Sequence, residues 1–327
     1  MVDTSQEQRN YGRRANAAPF SIGNIDQRKL VFFGSIVMAI GLFAAIGMVI
    51  FMGSLKLPFQ DCVAVVNVDG EISSQGTPAT LLSSGSPGAE DIANAISALD
   101  DRSDVKAVVV KINSPGGGVI ASRQIYEALK NLNKTKVAYL YEEAASGGYY
   151  IALGTDYIVA EPDTITGSIG VISLTMDLTG LMEKVGVNIS AIKSAGHKDF
   201  LSEYKASDPE EVAIMQGIVN ETYAEFVGVL KDSRGNKIKS SDIPMLTDGR
   251  IVSGRQAVKY GLADALGNKD DAIRKAADLA NMTYDKKPSV CAVSLSSQGS
   301  NGLFSELERT VATIYLGNYQ TTGLYMK

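Results

Sequence analysis

The chain has 327 residues, a formal net charge of −5, and 45 % hydrophobic residues. That is enough for one large domain or two small ones, and far from the composition of a disordered chain. Mild acidity without a lysine- or arginine-rich block argues against a nucleic-acid surface, and Cys62 and Cys291, with no partners at metal-ligand spacing, argue against a zinc site.

In chain order, residues 1–29 are polar, lack a sustained apolar period, and read as a short cytoplasmic tail. "LVFFGSIVMAIGLFAAIGMVIFM", Leu30 to Met52, contains no charged residue. As a helix it would reach roughly 34 Å, enough to cross a bilayer core. A buried soluble helix rarely runs this long without a polar face. The run also exceeds the apolar stretch of a cleavable signal peptide, and no small-x-small site follows before "KLPFQ". The span is therefore read as an uncleaved anchor at the cell's inner (plasma) membrane. Arg9, Arg13, Arg14, Arg28 and Lys29 precede it and only Lys56 follows closely. The positive-inside rule puts the N-terminus in the cytoplasm and the remainder in the periplasm or outside the cell. In such a compartment Cys62 and Cys291 can pair, and the sequence leaves that open.

After a linker, 53–60, "CVAVVNVDGEI" is an apolar, β-branched run that suits a buried strand. "SSQGTPATLLSSGSPG" reads as loop and "AEDIANAISALDD" as helix. Strands are then predicted at "VKAVVVKIN", "KVAYLYE", "YIVAE", "SIGVISLT" and "VNISAI", with helices at "VIASRQIYEALKNL", "GGYYIALGTD" and "LTGLMEKVG". This alternation predicts βαβ units and a mostly parallel sheet covered by helices. A long helix follows Asp208, a capping residue with Pro209 at the first helical position, and "DAIRKAADLANM" is another. The domain is expected over 61–289. Residues 290–327 read as a tail in which "SELERTVATIYLG" has helical spacing.

Two segments between a strand and a helix bear on chemistry. "INSPGGGVI" carries Gly116, Gly117 and Gly118, which allow close backbone approach and expose N–H groups at a helix start. It lacks the endings of a phosphate loop or dinucleotide fingerprint, leaving an oxyanion hole or a turn that simply needs glycine. "AASGGYY" repeats the arrangement around Ser146, whose neighbour Gly147 can donate a second N–H. Ser146 reads either as a nucleophile or as an ordinary helix N-cap. A nucleophilic serine needs a base. The chain holds a single histidine, His197, with Lys198 directly after it. A neutral lysine can serve in Ser-Lys variants of the triad, whereas most lysines on loops are merely solvated.

"INSPGGG", "ASGGYYIA", "TGSIGVI" and "GHKD", in this order, resemble the S49 family of membrane-bound serine proteases, the signal peptide peptidase A group. "DGRIVSGRQAVKYGLADALG" is similar to that family's closing segment. The resemblance spans residues 60–280 and implies an α/β fold of the ClpP/crotonase type. By motif position Ser146 would be the nucleophile, Lys198 the general base, and Ser168 the serine that orients the lysine. The oxyanion donors would be the N–H groups of Gly147 and Gly117, with Gly116 as the rival to Gly117. His197 departs from the tyrosine common before the base lysine, and the segment behind Lys198 lacks a frequent proline. The motifs occur once, as in short family members, which implies a homo-oligomeric ring, an octamer, with serine and lysine meeting between subunits. The implied activity is cleavage of apolar peptides, remnant signal peptides or unfolded segments, without metal or cofactor. Two other readings are a crotonase-like acyl-CoA enzyme and a non-catalytic membrane scaffold on a protease fold.

Overall fold

The computed structural model describes residues 35–43, 61–77, 86–291 and 293. The chain divides into two units, Met1–Phe59 and Gln60–Lys327. In the first, residues 35–43 form an exposed helix, α1. No helix among the described residues is long and apolar enough to cross a membrane. The rest of the expected anchor, 30–34 and 44–52, lies outside the described residues, as do the cytoplasmic tail, the start of the linker and most of the C-terminal tail.

The second unit is built on an eight-stranded sheet. Its elements are β1 (Cys62–Asp69), α2 (Ala89–Ser97), β2 (Val105–Ser114), α3 (Val119–Asn131), β3 (Thr135–Ala145), α4 (Gly147–Ala152), β4 (Tyr157–Ala160) and β5 (Ile165–Gly167). Then come α5 (Thr179–Val185), α6 (Pro209–Arg234), α7 (Ile243–Leu246), β6 (Ile251–Ser253), α8 (Gly254–Tyr260), β7 (Ala265–Leu266), α9 (Lys269–Leu279) and β8 (Ser289–Cys291). The strand order is β6-β5-β3-β2-β1-β8, with β4 paired to β3 and β7. Every pairing is parallel except β5 with β6. The expected parallel sheet is thus present.

The period of two along the central strands sorts side chains into two cores. In β2, Ala107 and Val109 pack with α9, while Val108, Val110 and Ile112 pack on the opposite side with residues of α2, α3 and α4. Both faces of β2 are dry, which is why its sequence is a run of valines rather than an alternation. Each such valine contributes about 1.5–3 kcal/mol by burial.

The long strand β3 is shared along its length. Residues 137–140 pair with β4, and 143–145 pair with β5. The carboxyl end of β3 is thereby flanked by β2 and β5, and the site lies there. Helix α6 starts as read from the sequence, with Asp208 accepting from the Glu210 amide at 2.8 Å and Pro209 in the first turn.

Two expected strands are absent. "SIGVISLT" has no ladder; the strand of that region is β5, just before it, and "VNISAI" is likewise irregular. Ile169 enters the core, but the apolar side chains beyond it turn outward: Ile172 is 80 % and Leu174 88 % exposed. A β-branched run becomes a strand only where an edge accepts it, and β6 already pairs with β5 on its far side. Residues 171–208 form instead an exposed arm carrying α5.

Cys62 and Cys291 are disulfide-bonded, with Cα atoms 5.6 Å apart. The bond fastens the three-residue β8, which extends the sheet beyond residue 289, to β1. Constraining so long a loop in the unfolded chain stabilises the fold by about 2–5 kcal/mol. Reduction is therefore expected to lower the urea midpoint of the folded protein, compared by circular dichroism with and without dithiothreitol. An unchanged midpoint would mean that β8 adds nothing to stability.

Candidate active site

Three turns meet at the carboxyl ends of adjacent parallel strands, where open α/β sheets place their ligands. β2 ends at Ser114, opposite Ala144; β3 ends at Ala145, opposite Gly167 of β5. That register sets Ser146 and Ser168, the next residues of β3 and β5, side by side.

Both serines have left-handed backbone, φ 52° at Ser146 and 51° at Ser168. Such conformations cost about 1–3 kcal/mol and persist only where surrounding bonds impose them. The Ser146 amide donates to Gly167 O at 2.9 Å, its carbonyl accepts from Tyr150 N at 2.9 Å, and the Ser168 amide donates to Arg250 O at 2.8 Å. Ser146 stands at the N-cap position of α4, yet its hydroxyl makes no capping bond. The ordinary reading of this serine, as a cap, is therefore not what the geometry uses.

The glycine turn lies against this elbow. Gly116 has φ +104°, and a Cβ there would sit 2.7 Å from Gly147 N and 2.9 Å from the Ser146 Cβ. The Gly116 amide donates to Ser114 Oγ at 3.0 Å, and Gly118 N to Ile72 O at 2.8 Å. The Gly117 amide between them has no acceptor among the described residues. Gly147, as first residue of α4, precedes the helix's own hydrogen bonding and has a free N–H for the same reason any helix start does. Of Gly116 and Gly117, the donor of the first is thus already used and that of the second is not.

Ser146, Ser168, Gly117 and Gly147 line one cavity of about 220 Å³. Its walls are largely apolar, from Val119 and Tyr150 to Val171, Ile172 and Phe226. The Tyr150 ring stands edge-on to Phe226 at 5.0 Å. Burial, then the Glu225 carboxylate, pushes the Tyr150 phenol up to about 12. Arg123 of α3 is ion-paired with Glu225 of α6 at the cavity wall, and the Tyr150 hydroxyl donates to Glu225 at 3.4 Å. Sequence reasoning missed this wall. Arg123 and Glu225 lie far apart in the chain on helices that read simply as amphipathic, so no local pattern marks them.

Lys198 is not among the residues lining the cavity; it is exposed on the arm. Around it the charges are arranged tightly. Lys193 Nζ lies 2.7 Å and Lys205 Nζ 2.9 Å from Asp199 Oδ1, and Lys205 also reaches Glu211 at 2.8 Å. Hydrogen bonds from Lys193 and then Lys205 hold the Asp199 carboxyl at about 2. His197 Nδ1 lies 3.3 Å from Glu211 Oε1, and its Nε2 3.9 Å from Glu210. Among the described residues, Lys198 has no carboxylate partner.

Comparison with known proteins places these features in a class. The profile described as Peptidase family S49 matches residues 128–283, and one described as Clp protease matches 83–161. The chain is 37 % identical over 226 residues to a putative protease of Methanocaldococcus jannaschii, covering 68 % of each. It is 43 % identical over 182 residues to a putative protease of Synechocystis sp., covering 55 % of this chain and 65 % of that one. A putative signal peptide peptidase SppA of Enterococcus faecium is 34 % identical over 215 residues, 64 % of this chain and 61 % of its own. A solved serine-to-alanine variant of the 1510-N membrane-bound stomatin-specific protease aligns with a TM-score of 0.44 at 16 % identity, over 72 % of this chain and 99 % of that one. The sheet and helices are those of a ClpP-like α/β fold. The chain belongs to peptidase family S49. It spans about two thirds of the length of these three relatives and less than half of longer ones, such as 40 % of the Protease 4 of Salmonella typhi.

Proposed function

We propose that this protein is a membrane-anchored serine endopeptidase that cleaves apolar peptides, with remnant signal peptides as the substrate class suggested by the name of one relative. The observation that carries the reading is the convergence, in one apolar cavity, of two strained serines with the unspent N–H groups of Gly117 and Gly147. Ser146 attacks the scissile carbonyl, and Lys198 takes its proton. The two amides hold the oxyanion, an arrangement in which one donor is worth about 10²–10³ in rate. Lys198 returns the proton to the leaving amine and then activates the water that releases the acyl group, while Ser168 orients its amine.

Lys198 comes to the cavity from a neighbouring subunit of a homo-oligomeric ring. Support for this lies in the position of Lys198, outside its own chain's cavity on an arm whose apolar side chains, such as Ile172, Leu174 and Ile192, are exposed among the described residues. The anchor is the uncharged run Leu30–Met52, which would hold the catalytic unit at the outer membrane surface where peptides leave the bilayer.

The test is covalent labelling of the detergent-solubilised protein with a fluorophosphonate, followed by hydrolysis of a synthetic signal peptide. Wild type is expected to carry one label per chain at Ser146, and Ser146→Ala to carry none and to lose all measurable hydrolysis. Hydrolysis that survives in Ser146→Ala would assign the chemistry to another group.

A further inference from the structure

Glu211 is the least exposed carboxylate on the arm's supporting face, at 1 % of its side-chain surface. Helix α6 does not need it: Asp208 already caps the first turn. Its oxygens point instead to the loop that carries Lys198. They accept from the Leu201 amide at 3.0 Å and from Lys205 Nζ at 2.8 Å, and they meet His197 Nδ1 at 3.3 Å. Leu201 has φ +47°, a backbone state that a leucine holds only under constraint, and the bond to Glu211 is made by that residue's own N–H. Lys198 is therefore bracketed. His197 before it is held by Glu211, and Asp199 after it by Lys193 and Lys205, the latter itself held by Glu211.

We infer that Glu211 is a positioning residue for the general base: it ties the 197–205 loop to α6, fixes where Lys198 projects, and occupies Lys205 and His197. The two carboxylates nearest Lys198 in this clamp, Asp199 on the loop and Glu211 on α6, are engaged by Lys193, Lys205 and His197, so neither captures Lys198. The inference rests on the assignment of Lys198 as base. Misplacing a catalytic group by about 1 Å costs on the order of 10²-fold in rate.

The experiment compares steady-state hydrolysis of a synthetic signal peptide by full-length Glu211→Gln and Lys205→Met, each also made in a Lys198→Ala background. Glu211→Gln is expected to lower kcat by about 10- to 100-fold with KM within about twofold. Lys205→Met, which removes one arm of the same clamp, is expected to lower kcat about tenfold. In the Lys198→Ala background neither change should lower the residual rate further, because both act through the missing amine. A wild-type kcat in Glu211→Gln would overturn the inference, as would an equal fold-loss with and without Lys198. If Glu211→Gln does not assemble, Lys205→Met decides, and an unchanged kcat there overturns it. Full activity in Lys198→Ala alone would instead overturn the base assignment, and the inference with it.

Discussion

Co-assembled Ser146→Ala and Lys198→Ala subunits, each alone reduced at most to a small residual rate, are expected to recover about a quarter of the wild-type hydrolysis rate. In the proposed ring the interface would be head-to-tail, and each site would draw on two different chains. In a random mixture about one interface in four joins an intact Ser146 to an intact Lys198. The expectation follows from placement: Ser146 lines the cavity with Ser168, Gly117 and Gly147, and Lys198 does not. Co-expression of the two variants with different affinity tags, double purification and a peptide-hydrolysis assay make the measurement. Mixed rings of wild-type size with no recovered activity would mean that serine and lysine meet within one chain, or that Lys198 is not the base. Each single variant, assembled alone, supplies the baseline.

Asp264→Ala is expected to be the most damaging single change away from the site. Asp264 and Arg234 are 9 % and 3 % exposed and meet at 2.8 Å. Lys237 and the Ile158 amide also donate to Asp264, and Arg234 Nε donates to Gly261 O. The cluster locks the end of α6 to the start of β4. Removing one partner of such a pair strands the other charge and costs about 3–5 kcal/mol, roughly a 10 °C fall in the thermal midpoint for a domain of this size. An unchanged midpoint would mean that Arg234 finds a new partner.

The same carboxylate gives a pH signature. Burial pulls Asp264 upward, but the hydrogen bonds from Arg234 and Lys237 outweigh it and hold the group below its ordinary 3.8. A depressed acid stabilises the fold fully above the unfolded value. Its contribution is therefore expected to be intact above about pH 4 and lost as pH falls through the lower folded value. Denaturation midpoints measured between pH 6 and pH 2.5 should fall more steeply in wild type than in Asp264→Asn.

Local pattern determined a good deal. The valine run of β2, the Pro209 start of α6 and the glycine-flanked Ser146 each express a short-range rule of burial, capping or backbone freedom. Those rules act over a few residues, so the sequence alone could name β1 to β4, the starts of α3, α4 and α6, and Ser146 with Gly147 and the Gly116–Gly118 turn as a set, while β6, β7 and β8 went unread. It failed at "SIGVISLT" and "VNISAI", where composition favours strand but neither segment forms a ladder, and both sides of the nearby β5 are taken by β3 and β6. A strand is a relation between two segments, and only the fold says whether the second exists.

Tertiary structure decided the rest for the same reason. It paired Cys62 with Cys291, brought Arg123 and Glu225 together at the cavity wall, and clamped the Lys198 loop onto Glu211. Each joins residues far apart in the chain or on different elements, through contacts whose strength depends on burial and register. The sequence by itself determined which residue types could do the chemistry; the parallel register of β3 and β5 decided which of them stand beside one another.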